Sequence, residues 1–161
     1  MTTSPATFRV PASKRAGIVI GIGMGAFVDG ILLHQVLNWH NMGSSVLPPT
    51  TMDAMRRNMT WDGAFHAAVW AITLVGIYLL LADARRGAPM PSPGVFTGQL
   101  LLGWGLFNVV EGIIDHHLLN IHHVRDLPEH VPAYDWAFLL VAGVGFIMLG
   151  WVMATHRTEA R

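Results

Sequence analysis

The sequence predicts an all-α fold: a four-transmembrane-helix bundle built from two parallel-repeat helical hairpins, with both termini cytoplasmic. Three observations predict it. Four apolar runs of about 20 residues divide the chain of 161, each long enough to cross a hydrocarbon core of about 30 Å. Only 12% of the residues are charged, against about a quarter in a soluble domain. And a phrase near the end of the first run, DGILLHQVLNWH at residues 29–40, returns near the end of the third as EGIIDHHLLNIHH at residues 111–123.

Taken in order, residues 1–15 read as a cytoplasmic tail. A single membrane domain follows over residues 16–154, with helices at about 16–39, 62–83, 95–119 and 133–154, and residues 155–161 form a second cytoplasmic tail. Lys14 and Arg15 ahead of an apolar run resemble the start of a signal peptide. The run is too long for one, no small-x-small site ends it, and its removal would destroy one copy of the repeated phrase. Between the first two runs, Pro48 and Pro49 break any helix. Thr50 or Thr51 then caps a short helix carrying Met52, Met55 and Met59 on one stripe, a packing face with thioethers that could also capture copper. Pro89, Pro91 and Pro93 mark the loop before the third run.

The basic residues set the orientation. Lys14, Arg15, Arg85, Arg86, Arg157 and Arg161 fall on one side, and the positive-inside rule puts that side in the cytoplasm. Trp39, Trp61, Tyr134 and Trp136 then form an outer aromatic belt. The second and fourth runs open alike, with Trp61-Asp62-x-Ala64-Phe65 and Tyr134-Asp135-x-Ala137-Phe138. Both halves begin inside, so the repeat is parallel. Asp62 and Asp135, each just ahead of an apolar run, read first as helix N-caps.

Composition excludes several functions. Without a cysteine the chain has no disulfide, zinc–thiolate site, iron–sulfur cluster or cysteine nucleophile. Ten acidic and ten basic residues leave no basic surface for nucleic acid. No phosphate-binding glycine loop is present, and Gly21, Gly23 and Gly25 read as a packing stripe within a membrane helix. What remains is an excess of histidine, nine in all, clustered with acids in the outer half of the bundle. Ionisable groups inside a membrane cost several kcal/mol each unless paired or bound.

The metal-ligand candidates are His34, His66, His116, His117, Glu111 and Asp115. Three imidazoles from three helices, His34, His66 and His116, are the leading set, with a carboxylate or His117 completing it. On a regular helix Asp29 and His34 lie about 140° apart, so one ion would not take both. Asp29, Asp62, Asn38 and Asn120 are therefore assigned to a second shell or a proton relay. His40, His122 and His123, with His130 nearby, form an interfacial rim that would collect an ion. The Glu-x-x-His pair of ferritin-like di-iron bundles is absent. The bland alternative is a buried polar network that only holds helices together.

Two functions follow. The first is metal handling on the outer face, with copper favoured and zinc or iron as alternatives. The second is a membrane redox enzyme or electron carrier, with His34 and His116 as axial ligands of haem or with a redox metal in the same cluster. An ion-coupled transporter is a third, weakened by the lack of ionisable groups in the inner half.

The segments DGILLHQVLNWH, WDGAFH and EGIIDHHLLNIHHVR resemble the bacterial predicted membrane protein family known as domain of unknown function 2243, over nearly the whole chain from about residue 15 to 153. The resemblance implies a multi-pass protein of the bacterial cytoplasmic membrane. By context it implies a link to copper-dependent cytochrome oxidase assembly, so the expected partners are the lipid bilayer and either a second copy or a respiratory oxidase or assembly protein. It carries over no site residue.

Overall fold

The computed structural model describes residues 15–155; the terminal tails, with Lys14, His156, Arg157 and Arg161, lie outside the described residues. Among the described residues there are helices and loops but no strand. Four helices are long and apolar enough to cross a membrane: α1 (Arg15–Val36), α2 (Met52–Arg85), α3 (Pro93–Leu118) and α4 (Pro132–Thr155).

Local chemistry sets the helix starts. Thr51 is extended and its hydroxyl accepts the Ala54 N–H at 3.2 Å, capping α2. No proline or glycine interrupts residues 52–62, so the short methionine-bearing helix and the second apolar run are one helix of 34 residues. At 1.5 Å per residue it spans about 51 Å, more than a bilayer core, and its first turns stand beyond the apolar zone. Ser92 caps α3 ahead of Pro93, and Pro132 opens α4. Asp62 and Asp135 consequently lie inside helices rather than at caps, with both side chains buried.

Packing puts α1 and α3 at the centre. They contact each other, with α2 against α1 and α4 against α3. Glycine makes the central crossing close: a Cβ on Gly21 would overlap the backbone at Leu100, and one on Gly103 the backbone at Ile18. Large apolar side chains such as Trp70, Tyr78, Leu140 and Met148 stay exposed on the flanking helices, as expected of a surface facing lipid.

Three helical stretches are widened to π geometry: Asp29–Val36 in α1, Gly112–Leu118 in α3 and Phe138–Gly145 in α4. The first two end alike. Leu37 N–H bonds to Leu32 O and Leu119 N–H to Ile114 O, both five residues back at 2.8 Å. The next bonds, Trp39 to Leu33 and Ile121 to Asp115, reach six residues back. Between them Asn38 and Asn120 each adopt φ 49°. Asparagine tolerates this left-handed conformation better than other residues with a side chain. Both turn the chain sharply back over the helix end.

The two loops that follow, residues 37–51 and 119–131, interlock at the same end of the bundle. Trp39 O accepts the N–H groups of Asp126 and Leu127 at 2.9 and 2.8 Å, and Ser45 N–H donates to Ile121 O at 3.1 Å. Ser44 Oγ donates to Asp126 at 2.6 Å. Asn58 ties the first loop to α2 through Gly43 N–H and Leu47 O. Trp39 stacks on Tyr134, with Arg125 lying over both rings. The result is a polar cap over the ends of α1 and α3.

Candidate metal centre

Beneath that cap, residues at corresponding positions of the two phrases come together. Asp29, His34 and His40 form one group whose ligand atoms lie within 4.8 Å of one another; Glu111, His116 and His122 form a second. All six are buried. The groups adjoin: His40 and His122 stack at 4.6 Å between ring centroids, and His34 lies 4.5 Å from His40 and His116 5.0 Å from His122.

The π geometry makes this possible. Hydrogen bonds from i to i+5 bring the residue five positions on over the first. Asp29 and His34 therefore share a face, with His34 Nε2 3.0 Å from Asp29 Oδ2. This corrects the expectation of a 140° separation, which assumed a regular helix. The left-handed asparagines supply the third member of each group. They fold His40 and His122 back under the cap, where both are 0% exposed. These two histidines are not a rim at the membrane interface; they are among the most enclosed side chains of the protein.

Three of the four imidazoles are oriented by a hydrogen bond through Nδ1. His34 Nδ1 pairs with Asp62 Oδ1 at 3.1 Å, and Asp62 is itself held by Met42 N–H and the Asn41 amide, both at 2.8 Å. His116 Nδ1 faces Asp135 Oδ1 at 3.6 Å. His40 Nδ1 donates to Val124 O at 3.0 Å, and His122 Nδ1 to Met42 O at 3.2 Å. The last two bonds cross between the loops, each loop supplying the carbonyl that orients the other's histidine. With Nδ1 of His34, His40 and His122 engaged, their Nε2 atoms face the centre, while neither ring nitrogen of His116 makes a hydrogen bond. Burial holds the His122 imidazole well below its ordinary pKa, and positive charge on His40 or His116 would lower it further. It is neutral at neutral pH, the form that ligates a metal.

The donor set fits a cation. Among the buried atoms without a hydrogen bond are eight that face one another in the two groups: both carboxylate oxygens of Asp29 and of Glu111, and Nε2 of His34, His40, His116 and His122. An unsatisfied buried polar atom costs about 1–3 kcal/mol. Ion pairing within the groups, His34 Nε2 with Asp29 Oδ2 at 3.0 Å and His122 Nε2 with Glu111 Oε1 at 3.6 Å, offsets part of that cost. A bound metal would satisfy all of them at once.

Other expected site residues fall elsewhere. His66, named as a leading ligand, bonds through Nδ1 to the Asp62 carbonyl at 2.8 Å, and its ring centroid is 6.5 Å from that of His34. It closes against Gly30, where a Cβ would strike its Nε2, and joins neither group. Asp115 is half-buried and also outside both groups. His117 lies against Trp136 at 4.7 Å. Asp29, expected in a supporting shell, stands with the ligand atoms, while Asp62 does support His34. His123 belongs to a third group with His130 and Asp135. The signal for the observed set was in the sequence: an acid, a histidine five residues on and a second histidine six further, in both phrases.

Comparison with curated proteins and with solved structures gave no match. A family model does match, over residues 16–157. This chain, with its apolar helices and its histidine–carboxylate groups placed to hold metal, belongs to the family described as predicted membrane protein (DUF2243).

Proposed function

We propose that this chain is a multi-pass protein of the bacterial cytoplasmic membrane that holds two transition-metal ions side by side, one in each histidine–carboxylate group. In this reading the chain is a duplicated helical hairpin. Both termini are cytoplasmic and the capped, metal-holding end faces outward, as the placement of Arg85 and Arg86 at the opposite end supports.

The observation that carries the proposal is the convergence of eight unpartnered ligand atoms under one cap. Charge supports a pair of divalent ions rather than one. Four buried carboxylates, Asp29, Glu111, Asp62 and Asp135, surround the four histidines, and among the described residues their ion-pair partners are all histidines. With no ion on the outer side of Asp135, two dications against four carboxylates leave a neutral centre, which a low-dielectric interior favours. Bound there, the ions would supply Lewis acidity or, for copper or iron, electron transfer; the histidines and acids would hold them and exclude water.

Six nitrogen and oxygen ligands without sulfur suit cupric copper, zinc or ferrous iron rather than cuprous copper, which prefers thiolate and thioether. Copper is our first choice, being the tightest binder of the divalent series. Met52, Met55 and Met59 are exposed on the first turns of α2 and take no part in the centre. Metal handling linked to oxidase assembly is the role this implies. A redox role is the second reading, and the full enclosure of the four imidazoles favours it, because a centre built for delivery needs access. Haem fits poorly: rings 4.5 to 5.0 Å apart leave no slot for a porphyrin.

Elemental analysis and an absorption spectrum of detergent-purified protein test this, with the His116→Ala variant alongside. The expected result is about two equivalents of a first-row metal resistant to a chelator wash, reduced in the variant, and no Soret band. Protein that stays metal-free after incubation with copper, zinc and iron would overturn it.

A further inference from the structure

A third group lies between the enclosed centre and the outer solution. His123, His130 and Asp135 present ligand atoms within 4.8 Å of one another. His130 Nε2 and His123 Nδ1 both approach Asp135 Oδ2, at 2.8 and 3.1 Å. The two rings stack at 3.9 Å. An ordinary surface ion pair between His130 and Asp135 would account for one of these contacts. It would not account for the second histidine on the same oxygen, whose Nδ1 is buried and has no hydrogen-bond partner.

Exposure is graded across the group. The side chain of His130 is 40% accessible, that of His123 15% and that of Asp135 4%. Three protein ligands leave a fourth position for water, as in exchangeable rather than sealed sites. Asp135 reaches inward as well. Its Oδ1 accepts the Val124 N–H at 2.8 Å and faces His116 Nδ1 at 3.6 Å. The Val124 carbonyl orients His40. One carboxylate and one residue, Val124, thus connect the outer group to a histidine of each inner group.

The first half of the chain lacks this equipment. Asn41 occupies the position of His123 in the aligned phrases, and its amide donates to Asp62 Oδ2 at 2.8 Å. Where one half offers an imidazole to a metal, the other closes the carboxylate with a hydrogen bond.

We propose that His123, His130 and Asp135 form a separate, solvent-accessible site for a divalent transition-metal ion, through which the enclosed pair is loaded. The inference rests on the two-ion reading above for the loading step, while the site itself stands on its own three ligands.

The test uses full-length, detergent-purified protein stripped of metal, with Zn(II) and Co(II) as probes. Wild type should bind one ion that a chelator removes within seconds, beyond those it holds for hours. His123→Ala combined with His130→Ala should lose the labile ion, keep the resistant ones at equilibrium and fill them at least tenfold more slowly. His130→Asn alone, a change on an exposed loop, should reproduce the loss if the double variant folds poorly. An unchanged labile fraction in these variants would overturn the proposal. Failure of the two-ion reading has a different signature: wild type would hold only the labile ion, and the double variant none.

Discussion

The two phrase-bearing halves place the same ligand types at the same positions yet secure them differently. In the first, Asp62 orients His34 at 3.1 Å and is fixed by two further hydrogen bonds, from Met42 N–H and the Asn41 amide. In the second, Asp135 stands 3.6 Å from His116 and is shared with His123 and His130. In the first half the carboxylate is closed by hydrogen bonds; in the second it also meets His123 and the more exposed His130. Two sites with equal ligands can therefore differ in how firmly, and how fast, they hold an ion, because the carboxylates behind them differ.

Removing a ligand should have the largest effect and should not distinguish the halves. His40→Ala and His122→Ala should each abolish tight binding of one ion. Each should also loosen the other half, because the two imidazoles bond across the loops to Val124 O and Met42 O. Metal counting after a chelator wash checks this. Selective loss of one ion with no weakening of the other would separate the two groups.

Stripping the metal comes next. Ligand present at 100 to 1,000 times its Kd stabilises a fold by about 2.7–4.1 kcal/mol. Thermal unfolding of the chelated protein should show a correspondingly lower midpoint, restored by the metal. Asp62→Asn and Asp135→Asn then probe the asymmetry itself. Loss of a carboxylate behind a ligating histidine costs roughly 10–100-fold in metal affinity. Asp62→Asn should sit at the upper end, since it disturbs three hydrogen bonds, and should slow no loading step. Asp135→Asn should weaken affinity less and slow loading more. Equal effects on both affinity and rate would remove the proposed difference between the halves.

Smallest is the backbone effect. Asn38→Ala and Asn120→Ala place an alanine at φ 49° and should cost about 1–2 kcal/mol each. The glycine variants should be close to neutral. Unfolding measurements on the four variants check both.

These helix ends also mark the limit of what the sequence revealed. The four spans were legible because length and hydrophobicity alone dictate them, and the paired phrases showed which residues to watch. Asp62 was misplaced at a helix start because the helix through residues 52–62 was read as separate from the span that it continues; Asp135 does lie in the first turn of α4, but Val131 holds the cap position. His34, His116 and Glu111 were named together, but Asp29 was set apart from His34 because the two were placed on a regular helix. Within these runs the polar residues, Asp29, His34 and Gln35 in one and Asp115, His116 and His117 in the other, are too few for any periodicity to register the change of pitch. His40 and His122 were put at the surface because continuing the helix would have taken them there. The asparagine two residues before each was the available clue, as a residue that readily turns left-handed. His66 drew attention as a lone histidine in an apolar helix, and it serves to fill the space over Gly30.

The most direct test of the central claim is native mass spectrometry of chelator-washed protein, counting the ions held by a single chain. Two are predicted, falling to one in either His34→Ala or His116→Ala. One ion or none in the wild type, or a count unchanged by both substitutions, would contradict a paired centre.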